Sequence, residues 1–551
     1  MQRIPILIVG GGPVGLALAG ELGWRGIACT LIEQGDGTIV TPKVNGVSIR
    51  TMEFCRRWGI ADAVHACPFP PNCPQDVAFV TSLSGYELGR IALPPRMSNE
   101  PQPHSPMQRQ ACSQMWFDPI LQSFARTFPN VSLRYRTRLE AFEETGSGVT
   151  ADITDLESGA RERIAADYFV ACDGASSMVR NSLGIGLTGP GVLGHSLNLF
   201  FRAPDLLKNC GKAPGTLFLI IDRDGLWANI RIIDPANAMW RLMVLDTDGK
   251  QAAETVDRNA LIGRAIGRPI DVESLGISLW TRRSVVAERY SQGRVFLAGD
   301  AVHQFSPTGG QGMNTGIGDA VDLGWKLAAV LDGWGGDRLL ASYDAERRPI
   351  GARNAGLTTG FFFEHRKFGG AVAAIDEDGD IGAGVRRHVG ATLGRDLGRM
   401  GRSDGLQLGH RYEDSPICLA DGTPPDPDDP EVFVPSARPG ARAPHAWLRD
   451  GRSILDLFGH GFVLLRFGPD APEGSALESA AAKAGVPLKA VAIAEPHVQQ
   501  LYGRRLVLVR PDGHVAWRGD QMPADGNLVI EAIRGAAAWN PAFGGRQCAA
   551  A

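Results

Sequence analysis

The rhythm of apolar and polar positions changes several times along this chain, and each change predicts an element. Ile4 to Val9 is a short unbroken apolar run, the pattern of a strand buried on both faces of a parallel sheet. A glycine-rich turn follows. Val14 to Trp24 then predicts a helix, with Pro13 in its first turn, where a missing N–H costs nothing. Cys29 to Ile32 and Val295 to Ala298 repeat the buried-strand pattern. Met313 to Leu331 predicts a second helix, with Val321, Trp325, Ala328 and Ala329 apolar. Between these parts, residues 217–221, 226–233 and 239–245 read as strands separated by aspartate, glycine and proline, as hairpin turns require. Beyond about 390 the character shifts: 422–430 is turn-rich, and strand-like runs return at 461–467 and 505–517.

Two glycine-rich segments, about 290 residues apart, carry the chemistry. The first holds Gly10, Gly12, Pro13 and Gly15 between a strand and a helix. That spacing permits the tight turn, the approach of a pyrophosphate and close packing of helix on sheet. The helix offers its positive end to phosphate. Glu33, ending the next strand, stands where an acid takes ribose hydroxyls. The same spacing recurs at Gly189, Gly191 and Gly194, but no apolar strand precedes it, so it is read as a loop. The second segment holds Gly299, Asp300 and His303, then Pro307, Gly309, Gly310, Gly312, Met313 and Asn314. Asp300 leaves a strand at its carboxyl end, the edge at which open parallel sheets bind ligands, and can accept from ribityl hydroxyls. The glycines let backbone N–H groups approach a flat ligand at a helix N-terminus, which favours the negative charge of a reduced flavin. One large cofactor gripped from both ends of the sequence is expected, and FAD fits.

The rest of the composition narrows the class. With 551 residues, two or three domains are expected. A net charge of −4 without a basic stripe argues against nucleic acid as a partner. No stretch approaches the roughly 20 apolar residues of a membrane span. The first strand begins almost at Met1, leaving no room for a signal peptide, and the nine cysteines form neither C-x-x-C nor a metal cluster. A cytoplasmic protein without metal is the expectation.

Three further segments give the chain a family resemblance: 171–180, containing Asp173-Gly174; 50–59, led by Arg50; and 113–121, containing Gln114. With the two glycine segments, they make the chain similar to the single-component FAD-dependent aromatic hydroxylases. These are the class A flavoprotein monooxygenases typified by para-hydroxybenzoate hydroxylase, and the branch is that of phenol, 2-hydroxybiphenyl and dichlorophenol hydroxylases. The resemblance is strong over about residues 1–365 and looser beyond. It implies an α/β fold with a Rossmann-like FAD domain of glutathione-reductase type at 1–75, 104–187 and 280–380. It also implies a substrate-binding β-sheet domain at 76–103 and 188–279, and a thioredoxin-like domain without C-x-x-C at 395–551. Arg50 and Gln114 would contact FAD, Asp173-Gly174 would serve both FAD and the nicotinamide nucleotide, and a homodimer is implied.

The activity implied is oxygenation of a phenol-like aromatic by NADPH or NADH and O2, through an electrophilic flavin C4a-hydroperoxide. Asn45 stands where some relatives carry an aspartate or histidine near the phenol hydroxyl, and an amide cannot remove that proton at neutral pH. Asn45 would therefore orient the substrate. The proton would leave through water or another side chain, with Tyr290 and His195 as alternatives, or the substrate would already be anionic. Pro307 belongs to the catalytic loop, and His303 stands either as a catalytic base or as a structural residue. Baeyer–Villiger oxidation or epoxidation of a polycyclic natural product is the enzymatic alternative. A flavin-binding protein without turnover is the alternative from another class.

Overall fold

The computed structural model describes residues 2–43, 45–97, 102–247, 255–367, 373–397 and 402–537, and three sheets organise them. The first is built on four parallel strands, Val295–Leu297, Arg161–Ala171, Gln2–Val9 and Cys29–Ile32, in that order, with Val131–Arg134 beyond. Their register matters more than their number. Val9 pairs with both Ile32 and Ala171, and Ala171 pairs with Leu297, so four strands finish level. Gly10, Glu33, Asp173 and Asp300 therefore emerge along one edge, although the sequence scatters them. The helices Pro13–Trp24 and Gly312–Leu331 pack together on this sheet, and their glycines permit it. A Cβ on Gly316 would lie 2.6 Å from the Val14 side chain and 3.0 Å from the Gly299 backbone.

The second sheet, of eight strands, includes Glu273–Ala287, Leu187–Arg202, Met239–Leu245, Gly225–Asp234, Leu217–Asp222 and Val77–Val80 in order. One face is closed by the helix Arg258–Ile266, whose Ile262, Ala265 and Ile266 pack on Leu199, Phe201, Ile230 and Leu242. Part of the other face is covered by Ile375 and Leu393, which meet Phe79, Leu88, Leu219 and Ile221. The segment read as a loop at 189–194 is instead part of the strand Leu187–Arg202. Gly189, Gly191 and Gly194 have φ of 133°, 84° and 148° and flank two register shifts. Glycine there bends a long strand at bulges, so the repeated spacing has a structural origin. Residues 98–101 and 248–254 of the two predicted insertions lie outside the described residues.

The third sheet orders Leu488–Ile493, Phe462–Phe467, Leu506–Val509 and Val515–Gly519, the first pair parallel and the rest antiparallel. With the helices Ser475–Lys483, Pro496–Tyr502 and Gly526–Ile533 it has thioredoxin topology. Positions 538–551 of the predicted domain lie outside the described residues.

Buried charge joins this domain to the first. Glu53 accepts from Arg50 at 2.8 Å and from Arg442 Nε at 2.9 Å, with a second Arg442 contact and Ser105 Oγ at 2.7 Å completing the carboxylate. Arg510 reaches Asp322 at 3.1 Å and Glu346 at 2.9 Å, and Lys326 bonds the same two carboxylates. Burial alone would push Glu53 upward, but the guanidiniums of Arg442 and Arg50 outweigh it and hold the carboxyl at about 2. An unfolded glutamate titrates near 4.3, so this group's contribution is complete above about pH 4.3 and is lost as pH falls through its folded value. Glu53→Ala, which leaves two guanidiniums buried against each other, is expected to lower unfolding stability by about 3–5 kcal/mol. It should also remove part of the stability loss between pH 4.3 and 2. Thermal melts across that range, wild type against variant, check both.

Candidate functional site

The level strand ends build a groove from the backbone outward. Gly10, with φ 109°, passes so close to the neighbouring strand that a Cβ there would sit 2.3 Å from the Cys172 carbonyl oxygen. A Cβ on Gly15 would strike the Gly10 carbonyl oxygen at 2.0 Å, whereas one on Gly12 would meet nothing within 4 Å. The first two glycines are thus demanded by packing, and Gly12 keeps an approach open in front of the helix. That helix begins at Pro13 and has no side-chain cap, so its first N–H groups face the opening. Glu33 accepts from Gly11 N and Gly35 N, both at 2.7 Å, which orients its carboxylate beside the glycine turn.

Further along the edge the donors and acceptors change character. Asp173 accepts from Val179 N at 3.1 Å through one oxygen, while its other oxygen is buried without a partner. Gly174, with φ 81°, turns the chain away. Asp300 is enclosed by protein yet open to water, and that enclosure raises its pKa, with His303 and Lys43 opposing. Gln114 accepts from Lys43 N at 3.1 Å and donates to Asp118 at 3.0 Å. Burial lifts the Asp118 carboxyl to about 7. Arg50, expected on the cofactor, is buried, stacks on Phe54 and donates to Asp512 O at 2.8 Å. Its Nε alone has no partner.

Pro307, Gly309 and Gly310 form an exposed loop that leads into the helix at Gly312, and Met313 is buried below it. Asn314 holds this loop. Its Oδ1 accepts from Ser48 N at 2.9 Å and Thr51 Oγ1 at 2.8 Å, and its amide donates to Gly310 O at 2.7 Å and Gly46 O at 3.3 Å. Its side chain is therefore spent on the protein, so any cofactor contact falls to backbone N–H groups. His303 has no exposed surface with the groove open, stacks on Phe305 and pairs with Asp319 at 2.8 Å. A ring so enclosed touches neither cofactor nor substrate, and the catalytic reading of His303 gives way to a positioning one. Tyr290 is likewise fully buried. His195 pairs with Thr281 and, by strand parity, shares the face of Leu197 and Leu199 rather than that of Ser196 and Asn198.

A small cleft, partly open to solvent, lies at Asn45. Asn45, Phe69, Gln75, Ser113, Thr216 and Arg231 are among the residues that line it. The Asn45 oxygen is buried there without a hydrogen-bond partner, as is Ser113 Oγ. Gly46, which follows Asn45 in the cleft wall, is tied through Asn314 to Gly310 of the 307–312 loop. Arg231 was not singled out from sequence, and its interruption of a largely apolar strand was the available signal.

Family models place this arrangement. One described as FAD binding domain matches residues 3–357, and one described as aromatic-ring hydroxylase, C-terminal, matches residues 436–537. The chain belongs to the FAD-dependent aromatic-ring hydroxylases of class A. It is similar to the FAD-dependent monooxygenase apdD of Emericella nidulans, at 33% identity over 94% of this chain and 88% of that one. It is also similar to the 4-methyl-5-nitrocatechol 5-monooxygenase of a Burkholderia species, at 33% identity over 97% of each chain. Among solved structures it is similar to chromopyrrolic acid-soaked RebC with bound 7-carboxy-K252c. That match has a TM-score of 0.90 and 40% identity, covering 97% of this chain and 100% of that one.

As a member of this family the hydroxylase is a FAD-dependent monooxygenase, and its residues fit the cofactor. Open N–H groups at Gly12 suit the pyrophosphate, the unpartnered Asp173 oxygen and the open Asp300 carboxylate suit hydroxyls, and the 307–312 loop suits a flat ring. No described helix is long and apolar enough to cross a membrane. Gly12→Ala is expected to leave the melting of the apoprotein unchanged and to weaken FAD binding about tenfold or more, or 1.4 kcal/mol. Gly10→Ala should instead lower the melting temperature of the apoprotein itself. Flavin titration with parallel melts separates the two.

Proposed function

We propose that this hydroxylase uses NADPH or NADH and O2 to add one oxygen atom to a polycyclic aromatic that already carries an oxygen substituent. The observation that carries the reading is the tie between Asn45 and the flavin loop. A cavity wall with an orphaned amide oxygen sits one hydrogen-bonded residue, Asn314, away from the loop that would hold the reacting ring of FAD. The polycyclic ligand of RebC supports the size of the substrate. When bound, FAD supplies the redox chemistry, taking a hydride from the nicotinamide and activating O2.

The protein's own residues do the rest. Among the described residues lining the cavity, Arg231 is the one ionisable group, so no lining side chain removes the substrate's proton. Asn45 accepts the hydrogen bond of a hydroxyl and fixes the ring, while the positive field of Arg231 favours the electron-rich anion over the neutral phenol. Phe69, Ile232 and Ile233 keep the remaining wall apolar, which limits water beside the reacting centre.

Oxidation of NADPH or NADH by FAD-loaded protein, with isotopically labelled O2 and hydrogen peroxide recorded together, tests the reading across phenols and hydroxylated polycyclic aromatics. Substrate-stimulated oxidation should give a product carrying one labelled oxygen on a ring carbon. A ring-expanded lactone or an epoxide would move the reaction class, and stimulated oxidation yielding peroxide alone with every substrate would overturn the proposal. Asn45→Ala, which loses one hydrogen bond, is expected to lower kcat/KM about tenfold and to raise the peroxide fraction.

A further inference from the structure

Behind the cleft at Asn45, two thiols from distant segments meet. Cys67 follows the short helix Ala61–His65, and Cys112 follows the strand Gln110–Ala111. Their side chains share a hydrogen bond, and Cys67 Sγ also reaches Ala111 O at 3.5 Å. Both segments supply the cleft wall: Phe69 lies two residues beyond Cys67, and Ala111 and Ser113 flank Cys112. Cys67 is 7% exposed and Cys112 1%, so Cys67 is the outer thiol of the pair. A third thiol nearby, Cys55 on the helix Ile49–Arg57, has no exposed surface.

Arg96 clasps the two segments together. Its guanidinium donates to Val64 O at 3.4 Å, His65 O at 2.9 Å and Phe69 O at 2.7 Å on one side, and to Gln110 Oε1 at 3.3 Å on the other. All four are neutral oxygens. Among the described residues no carboxylate pairs with Arg96, whose side chain is buried and whose Nε has no partner. A buried guanidinium without an acid is costly for folding, and beside a thiol it favours the thiolate. The hydrogen bond with Cys112 and the charge of Arg96 hold the Cys67 thiol below its usual range, against its burial. The same contact with Cys67, together with burial, pushes Cys112 up. One sulfur is thus a poised nucleophile, and its neighbour keeps its proton.

We infer that Cys67 and Cys112 are a peroxide-oxidisable pair whose disulfide ties the two cleft walls together. The Cys67 thiolate attacks one oxygen of hydrogen peroxide and breaks the O–O bond. Sulfenic acid forms on Cys67, and hydroxide leaves and is protonated to water. The Cys112 sulfur then displaces the sulfenic hydroxyl, and its proton departs with that oxygen as a second water. The two thiols lose two electrons in all, and peroxide is reduced to two waters. The new bond, of about 2.05 Å, draws the segments of Phe69 and Ser113 toward each other. Peroxide is what an oxygenase releases when oxygen transfer fails, so the pair registers failed turnover at the cleft itself. Only that source of peroxide rests on the oxygenase reading.

The test adds hydrogen peroxide to FAD-loaded enzyme without nicotinamide or substrate. Peptide mapping after acid quench and alkylation should show a Cys67–Cys112 bridge that dithiothreitol reverses. Cys67 should react about tenfold or more faster than Cys29 and Cys418, whose thiols burial pushes up. Cys112→Ser should stop the reaction at a Cys67 sulfenic acid, captured by dimedone, and Cys67→Ser should leave Cys112 a free thiol. On bridging, hydrogen exchange in the segments carrying Phe69 and Ser113 should slow about threefold or more. Both thiols still free after peroxide, a bridge from Cys112 to Cys55, or oxidation of Cys112 at the wild-type rate in Cys67→Ser would overturn the pair. A bridge that leaves exchange in both segments unchanged would overturn its tie to the cleft. Bridging in an enzyme that oxygenates no aromatic would leave the pair standing and sink the oxygenase reading alone.

Discussion

The flavin end of the molecule depends on four parallel strands finishing at the same level. Parallel strands carry their ligand chemistry at their carboxyl ends, so a shift of one strand by a single residue would withdraw its motif from the groove and turn its side chains over. The register is enforced by contacts too close for a side chain. Gly10 lies against the Cys172 carbonyl, Gly15 against Gly10, and Gly299 and Gly316 both against Val14. The last pair joins the two halves of the cofactor site, about 290 residues apart, at a single valine. The insertion between them can therefore be large without loosening the grip: the ends of the domain are fixed on each other, and the second sheet grows out of one side.

The C-terminal domain has the topology of thioredoxin and none of its chemistry. Its one described cysteine, Cys418, is buried beside Arg510. What it contributes is charge placed deep in a seam. Arg442 and the Asp512 carbonyl fix Glu53 and Arg50 on the helix Ile49–Arg57, and Arg510 neutralises Asp322 and Glu346 below the helix Gly312–Leu331. Buried ion pairs add little net stability compared with an apolar contact, but they accept only one register. A seam built this way fixes the helices Ile49–Arg57 and Gly312–Leu331, and through Asn314 it reaches Gly310 and Gly46. The domain is thus part of the active-site scaffold, although it lies behind it.

The sequence was most legible where backbone geometry dictates residue type. Gly10, Gly12 and Gly15, the flanking strand and helix, and the run from Gly299 to Asn314 could be read because close approach and open φ leave few alternatives. Legibility failed where only pairing decides. The spacing of Gly189, Gly191 and Gly194 copies a nucleotide motif, yet those glycines serve bulges that become visible only once the partner strand is known. His303 sits three residues after the exposed Asp300, and nothing local shows that Asp319, Phe305 and Tyr290 enclose it. Asn314 looked like a cofactor ligand from its place in the motif, but its four hydrogen bonds go to the protein. Arg231 and Arg241 each interrupt an apolar strand, and period two puts each on one face. Only the register shows that the two stand directly opposite each other.

That register also bears on the missing base. An aromatic oxygenase needs its substrate electron-rich, and an ionised oxygen on the ring is the strongest way to achieve that. A carboxylate or imidazole at position 45 would remove the proton directly, but a carboxylate there would share the cleft wall with Arg231 and offset its positive charge. An amide avoids this conflict. It keeps a hydrogen bond that can orient the ring, adds no charge, and leaves the field of Arg231 uncancelled. Asn45 and Arg231 therefore belong together: a cleft with a positive charge in its wall gains little from an anionic base beside it, and that charge lowers the pKa of a bound phenol instead.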